Sequence, residues 1–453
     1  MPRGKGDRTR RRVPNWRGWV SGQLRQTLKL NSERTLYMKV TGIIAEYNPF
    51  HKGHAYHIQK AKELTGADYI IVVMSGDFTQ RGMPAILDKY TRARMALACG
   101  ADLVLELPVR FACASAEFFA GGAVSLLDRL GVVDSLCFGS ECGDAGLLQK
   151  AASVLAEAEA LESFRSTLRE GIRNGLSFPA ARAKALETQE NGIGELFTLP
   201  NNILGIEYCR ALLHLNSPVR PVTVLRKGAG YHEEALHDEQ NEAPGFSSAF
   251  AIRQALQQGG SFDTVRGSLP EETLEIWEYC LKNGGIVSEK DFSPLLRYRL
   301  LMEAENGFSS YADVTPDFSD RLKKNLDQFT GWHDFCLLQN SRDMTYTRIS
   351  RCLCHILLGL SQEKQEESKH MAFASYARPL GFRRSAAPLL QAVKQNSSIP
   401  FLSKLADARQ ILSPFAASLL EEDIKASHIY QTVVSGKYEK PFLNEYRRQI
   451  PIL

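Results

Sequence analysis

No stretch of this 453-residue chain approaches the ~20 uninterrupted apolar residues that a membrane helix needs. No membrane span is therefore expected. The basic N-terminus has no apolar core behind its charges, so it does not read as a secretory signal. A cytoplasmic location is the default expectation. No CxxC pair occurs among the nine cysteines, which are odd in number and irregularly spaced, and a zinc site is not expected. Cys352-Leu353-Cys354-His355 has the residue types of a metal site, but positions i and i+2 of a helix point to different faces, so these read as small core residues. There is also no Walker motif, no GxGxxG fingerprint, no RRM-type motif, no internal repeat and no long low-complexity run.

What is present is the composition of an ordinary globular protein, 44% hydrophobic and 23% charged. The length calls for two or three domains. The net charge of +4 hides an asymmetry. Residues 1–37 carry ten lysines and arginines against two acids, Asp7 and Glu33, so the remainder of the chain is net negative. This segment reads as a poorly ordered basic extension, with an RNA-binding arm as the alternative. Met38 stands directly before the first good strand, and the start of the folded protein is expected there.

From Met38 the pattern becomes regular. Four apolar strands, near residues 40–45, 69–74, 103–107 and 135–138, alternate with helices at about 54–64, 88–99 and 115–130. Asp88 is placed to cap the second helix, and Gly66, Gly100 and Gly131 to end the three. Strands apolar throughout indicate a parallel sheet covered on both faces. The expected fold is α/β, a Rossmann-like doubly wound parallel sheet, with a further strand at residues 222–225. Beyond about residue 255 strand-like runs disappear and helical patterns dominate. The expected organisation is a catalytic domain over 38–258 and a helical domain over 259–453.

Ligands of such sheets bind at the carboxyl ends of the strands, and the unusual residues cluster there. His51-Lys52-Gly53-His54 sits between the first strand and its helix. A helix N-terminus offers free N–H groups and a positive dipole end, which suits phosphate. Imidazoles at i and i+3 can both face phosphates at that end. Gly53 lacks a Cβ and lets a base or phosphate approach the backbone. A carboxylate attacking the α-phosphate of ATP needs in-line placement and neutralised phosphate oxygens. Imidazole donates to those oxygens at neutral pH, more strongly when protonated. An HxxH pair is common on ordinary helices; the strand–turn–helix context is what favours a site.

The run Gly42-Ile43-Ile44-Ala45-Glu46-Tyr47-Asn48-Pro49-Phe50-His51-Lys52-Gly53-His54 resembles the HxGH motif of the nucleotidylyltransferase superfamily and, more narrowly, that of the bacterial tRNA(Met) cytidine acetate ligases. Further blocks agree: residues 74–82, 100–108, Phe138-Gly139-Ser140-Glu141 and Pro200-Asn201-Asn202-Ile203-Leu204-Gly205. The resemblance covers about residues 38–450. It implies a ligase that uses ATP, with Mg²⁺, to convert acetate to acetyl-adenylate. The acetyl group then passes to the wobble cytidine of elongator tRNA(Met), giving N4-acetylcytidine. It implies catalytic roles for His51 and His54. It implies an ATP loop of Ile44, Ala45, Glu46, Tyr47, Asn48, Pro49, Phe50, His51, Lys52, Gly53, His54, Ala55, Tyr56 and His57. Gly139 would lie near adenosine, and Asn201 and Arg226 would be further nucleotide contacts. The sequence leaves Asn201 and Asn202 as alternatives, and leaves Arg226-Lys227 open between a phosphate contact and a solvated turn. No protein metal ligand is implied.

Phe246-Ser247-Ser248-Ala249-Phe250-Ala251-Ile252-Arg253 resembles the superfamily's second motif, with Ala249 where a polar residue is common. Serines at a helix start with an arginine one turn on can hold β- and γ-phosphates; an ordinary Ser cap is the alternative. Gln80, Arg81 and Lys89 follow the second strand and are candidates to face acetate or pyrophosphate, and Glu46 to orient magnesium or a histidine or to pair with Arg81 or Lys89. Basic residues interleaved with aromatics at 346–351 and 376–384 suit RNA, as they also suit a solvated helix. Two rival functions share parts of this pattern. A small-molecule adenylyltransferase of cofactor synthesis would not need the large helical half, and a non-catalytic RNA-binding protein would not need an intact HxGH.

Overall fold

The computed structural model describes residues 38–176, 178–226, 247–371 and 373–453, with the side chains of 178 and 179 left aside. The basic segment 1–37, Lys227 with the residues up to 230, and Phe246 lie outside the described residues.

The alternation of strand and helix is as the apolar runs dictate. Strand β1 (Val40–Ala45) leads into helix α1 (Lys52–Thr65), then β2 (Tyr69–Ser75), α2 (Lys89–Ala98) and β3 (Leu103–Leu107). Helix α3 (Ala116–Arg129) and β4 (Ser135–Ser140) follow. Asp88 caps α2 by accepting from the Tyr90 and Thr91 amides. Gly66 ends α1 in the left-handed region at φ 63°, where a residue without Cβ is least strained. Helix α1 starts two residues earlier than its apolar pattern predicts, because His51 itself is the cap.

After four helices between Ala145 and Leu196 come α4 (Pro200–His214), β5 (Arg220–Leu225) and α5 (Ala249–Gln257). The strands align in the order β5-β4-β1-β2-β3, all parallel. β1 pairs with β2 on one side and β4 on the other, so the order of the strands, though not their direction, reverses between β1 and β4. That reversal opens a crevice at the carboxyl ends of these strands.

The C-terminal half is mainly helical, as expected, and includes α6 (Trp332–Gln339), α7 (Tyr346–Leu358) and α8 (Pro414–Tyr438). One departure is a sixth strand, β6 (Pro379–Phe382), which precedes α8 in the chain and pairs antiparallel with β3. It closes an edge that would otherwise present unpaired N–H and C=O groups. The C-terminal residues extend this edge, with Leu453 N–H donating to Phe382 O at 3.2 Å.

The two halves share their cores. Phe78, Val109 and Cys113 from the sheet region pack in the cluster built by Trp332, Phe335, Ile349 and Leu353. Val40–Leu453 packs as one unit. We propose 38–258 and 259–453 as two regions of the chain, which from Val40 onward pack together in that unit. Cys352, Cys354 and His355 are fully buried, as core residues of α7.

Candidate active site

One buried guanidinium, that of Arg92, ties the start of the loop after β1 to the end of β2 and to the segment before α2. Arg92 donates to the carbonyls of Glu46 (2.6 Å), Leu87 (2.9 Å), Ser75 (3.1 Å) and Gly76. The Asn48 side chain accepts from the Ile86 amide at 2.8 Å. Within the loop Tyr47 is left-handed at φ 50° and the Asn48–Pro49 peptide is cis. Tyr47 and Phe50 are buried and set their rings against His54 at 4.8 and 5.6 Å.

At the start of α1 the two histidines cap the helix. His51 Nδ1 accepts from the Gly53 amide at 3.0 Å, and His54 Nδ1 accepts from the His51 amide at 3.4 Å. Their rings stack with centroids 3.8 Å apart. A neutral imidazole that accepts at Nδ1 carries its proton on Nε2. Each ring is thereby fixed as an Nε2–H donor. Burial, followed by the charges of Arg226 and Arg253, pushes His51 down to about 3. Burial and Arg226 push His57 down to about 4. His54 is held well below its ordinary value by burial, then by His51, His57 and Arg226. The free protein thus presents neutral imidazole donors at neutral pH. Burial thus disfavours the stronger, protonated form that the sequence allowed for.

These groups line a cavity of about 280 Å³ at the β1/β4 crevice. Of the residues carried over by resemblance, it brings together Ile44, Ala45, Glu46, Tyr47, Asn48, His51, Gly53, His54, Tyr56, His57, Gly139, Asn201 and Arg226. Pro49, Phe50, Lys52 and Ala55 do not line it. Phe50 stands behind His54, and the Lys52 amide donates to Ser268 O at 2.9 Å. Gly139, at the end of β4, faces Arg226; a Cβ there would meet Arg226 Cγ at 3.3 Å.

The Asn201/Asn202 alternative separates in the structure. Glu141 accepts from the amides of both residues, at 3.1 and 2.7 Å, and so caps α4. Asn201 lines the cavity, and its Oδ1 accepts from Arg226 at 3.4 Å. Asn202 is 1% exposed, and its Oδ1 accepts from the Glu141 and Cys142 amides. The second motif also reaches the site. Ser248 caps α5 by accepting from Ala251 N–H at 3.0 Å, while Arg253 donates to the Asn48 carbonyl and lines the cavity.

Gln80 and Arg81 line the cavity, but Lys89 does not. Its ammonium is buried between Glu106 and Glu445, 2.7 Å from each, in a cluster completed by Arg378. Glu46, the one carboxylate on the cavity wall among the described residues, accepts from the Gln80 amide at 2.6 Å. In the second RNA-like stretch two residues are taken up by the interior, whereas Arg384 is exposed. Tyr376 and Arg378 are buried, Tyr376 donating to Asp423 at 2.5 Å, and Arg383 donates to the carbonyls of Leu97 and Ala98 that end α2. On α7, Ser350 is buried and Arg348 is half-buried.

The sequence reading missed the aromatic and apolar wall of Phe119, Phe138, Leu204, Tyr208 and Val224. Phe138 and Leu204 lie inside blocks that carry the resemblance but are not singled out there as contacts. Phe119 and Tyr208 carry no local signal, since α3 and α4 meet only in the fold.

A strand–turn–helix with HxGH at the reversal of a parallel sheet, and a cation-rich cavity in front of it, is the site of a nucleotidyl transferase. The HIGH Nucleotidyl Transferase profile matches residues 38–444, and the chain belongs to that family. Within it, the chain is similar to tRNA(Met) cytidine acetate ligases. It is 38% identical over 402 residues to that of Clostridium perfringens, covering 87% of this chain and 95% of the relative. With that of Acetivibrio thermocellus the figure is 38% over 400 residues, covering 87% and 94%. The crystal structure of Thermotoga maritima TmcAL in its apo form matches at TM-score 0.84 and 32% identity, over 92% of this chain and 99% of that one. The same protein bound with alpha-thio ATP matches at 0.81 and 31%, over 92% and 100%. Among the described residues no helix is long and apolar enough to cross a membrane, and no group of three or more His, Cys, Asp or Glu could hold a metal ion.

Proposed function

We propose that this chain is an ATP-dependent ligase that activates acetate as acetyl-adenylate and acetylates the wobble cytidine of elongator tRNA(Met). The observation that carries this reading is the pair of neutral histidines whose Nδ1 atoms are tied to backbone amides, leaving two Nε2–H donors at a helix N-terminus in the cavity. Similarity to the named ligases over most of the chain supports it.

In this reading ATP lies along the crevice with adenosine beside Gly139 and the triphosphate toward α1. His51, His54, Arg226 and Arg253 neutralise the phosphate oxygens as charge develops in the transition state. An oxygen of acetate attacks the α-phosphorus, the bond to pyrophosphate breaks, and pyrophosphate leaves with the electron pair. Adenylation is needed because free acetate would have to expel oxide. The cytosine amino group, whose lone pair is delocalised into its ring, then attacks the acetyl carbonyl. AMP leaves and the amino nitrogen loses a proton. Magnesium would arrive with ATP, held by phosphate and water; Glu46 is the protein carboxylate nearest to hand, and it already accepts from the Gln80 amide. The helical half delivers the tRNA, and such an enzyme works in the cytoplasm, where tRNA and ATP meet.

Transfer of labelled acetate to tRNA(Met) tests the reading. The label is expected in N4-acetylcytidine and is expected to vanish when the wobble cytidine is replaced. Undiminished transfer to the replaced tRNA would refute the proposed target.

A further inference from the structure

The cations on the cavity wall fall into two groups. Arg226 and Arg253 stand with the histidines, and their charges act on His51. Arg81 lines the same cavity from a different element, the turn that follows β2, next to Gln80. Two anions must meet for adenylation, a triphosphate and a carboxylate, and each needs its own counter-charge if they are to approach.

The turn that carries Arg81 is built to be rigid. Thr79 N–H donates to Met83 O at 3.0 Å, Gly82 N–H donates to Thr79 O at 2.8 Å, and Phe78 bridges Pro84. Gly82 is left-handed at φ 69°, and a Cβ there would lie 2.3 Å from the Arg351 backbone. The close approach lets α7 hold the turn from behind. Ser350 Oγ donates to Gly82 O at 2.7 Å, and the Trp332 indole N–H donates to Ser350 Oγ at 3.1 Å. From the front, Glu46 accepts the Gln80 amide at 2.6 Å. The backbone that carries Gln80 and Arg81 is thereby set before a ligand binds, which lowers the ordering cost of binding.

We infer that the turn of residues 79–83 is the subsite for the small carboxylate substrate, with the Arg81 guanidinium as its counter-charge and the Gln80 side-chain amide as a second donor. This rests on the adenylation reading above. A guanidinium fork matches a carboxylate and leaves one of its oxygens able to attack. Glu46 sits at the base of the same turn, so a second carboxylate enters only against its charge, which Arg81 offsets. The step itself exchanges one bond for another: the carboxylate O–P bond forms as the P–O bond to pyrophosphate breaks, with no proton gained or lost.

The test is pyrophosphate exchange into ATP at varied acetate and ATP, with wild type, Arg81→Gln, Arg81→Lys and Gln80→Ala. Loss of a charge-assisted contact predicts a rise of about 10- to 100-fold in the KM for acetate for Arg81→Gln. The KM for ATP, and ATP binding by calorimetry without acetate, are expected to stay unchanged. Arg81→Lys should recover part of the loss. Gln80→Ala, which keeps the amide that Glu46 accepts from, should raise only the KM for acetate. Normal exchange in the wild type with an unchanged acetate KM in Arg81→Gln, or an equal rise in the KM for ATP, would overturn the inference alone. No exchange in the wild type would overturn the adenylation reading and the inference with it.

Discussion

Replacing His51 with asparagine separates the two jobs that the structure gives this side chain. Nδ1 caps α1 by accepting the Gly53 amide at 3.0 Å, and Nε2–H is left to face the cavity. Asparagine is among the best capping residues, so His51→Asn should keep the helix start, with a stability change of a few tenths of a kcal/mol. It removes the Nε2 donor. Loss of one pre-placed donor to a developing oxyanion costs on the order of 100- to 1000-fold in rate, about 2.7–4 kcal/mol of barrier. His51→Ala removes both functions and should show the same rate loss together with about 1 kcal/mol of lost stability. The assay is acetate-dependent pyrophosphate exchange for rate, with denaturant unfolding for stability. A His51→Asn variant that exchanges at the wild-type rate would show that the histidine is a cap and nothing more, and would refute the donor argument.

Three further outcomes follow from the same geometry. His51 and His57, pushed down to about 3 and about 4, should show no imidazole titration by NMR between pH 6 and 8 in the free protein. Their folded values lie below the ordinary 6.5, so the stability from burying them neutral is complete above about pH 6.5 and drains away as pH falls toward 3 to 4; a titration centred near 6.5 would contradict this. Glu445→Gln leaves Lys89 and Arg378 sharing Glu106 inside the fold and should cost about 3–5 kcal/mol of unfolding free energy; a loss below about 1 kcal/mol would mean the buried cluster does little to hold the fold. Deletion of residues 1–37 should leave exchange and transfer intact, and loss of transfer alone would make the segment an RNA arm.

The legible part of the protein was the part whose signals are local. Apolar strands such as Tyr69–Ser75 are buried on both faces, so they read as continuous runs, and Asp88 and Gly66 mark helix ends by their own chemistry. His51 and His54 stood out because a strand, a turn and a helix start surround them within a few residues. The illegible part depends on partners far away in sequence. Tyr376 and Arg378 looked like an RNA surface because nothing beside them shows that Asp423, Glu106 and Glu445 await them in the interior. β6 is four residues long, begins with proline and contains glycine, and it is a strand only because β3 offers an edge. Lys89 followed the right strand, yet its own helix turns it toward those same buried acids rather than the cavity.

The central claim is that the neutral histidine pair serves adenylation of a short carboxylate, and acetate-dependent exchange of labelled pyrophosphate into ATP tests it most directly. The purified protein should exchange label only when acetate is present, with no tRNA required. Failure to exchange with acetate or any other short carboxylate would contradict it.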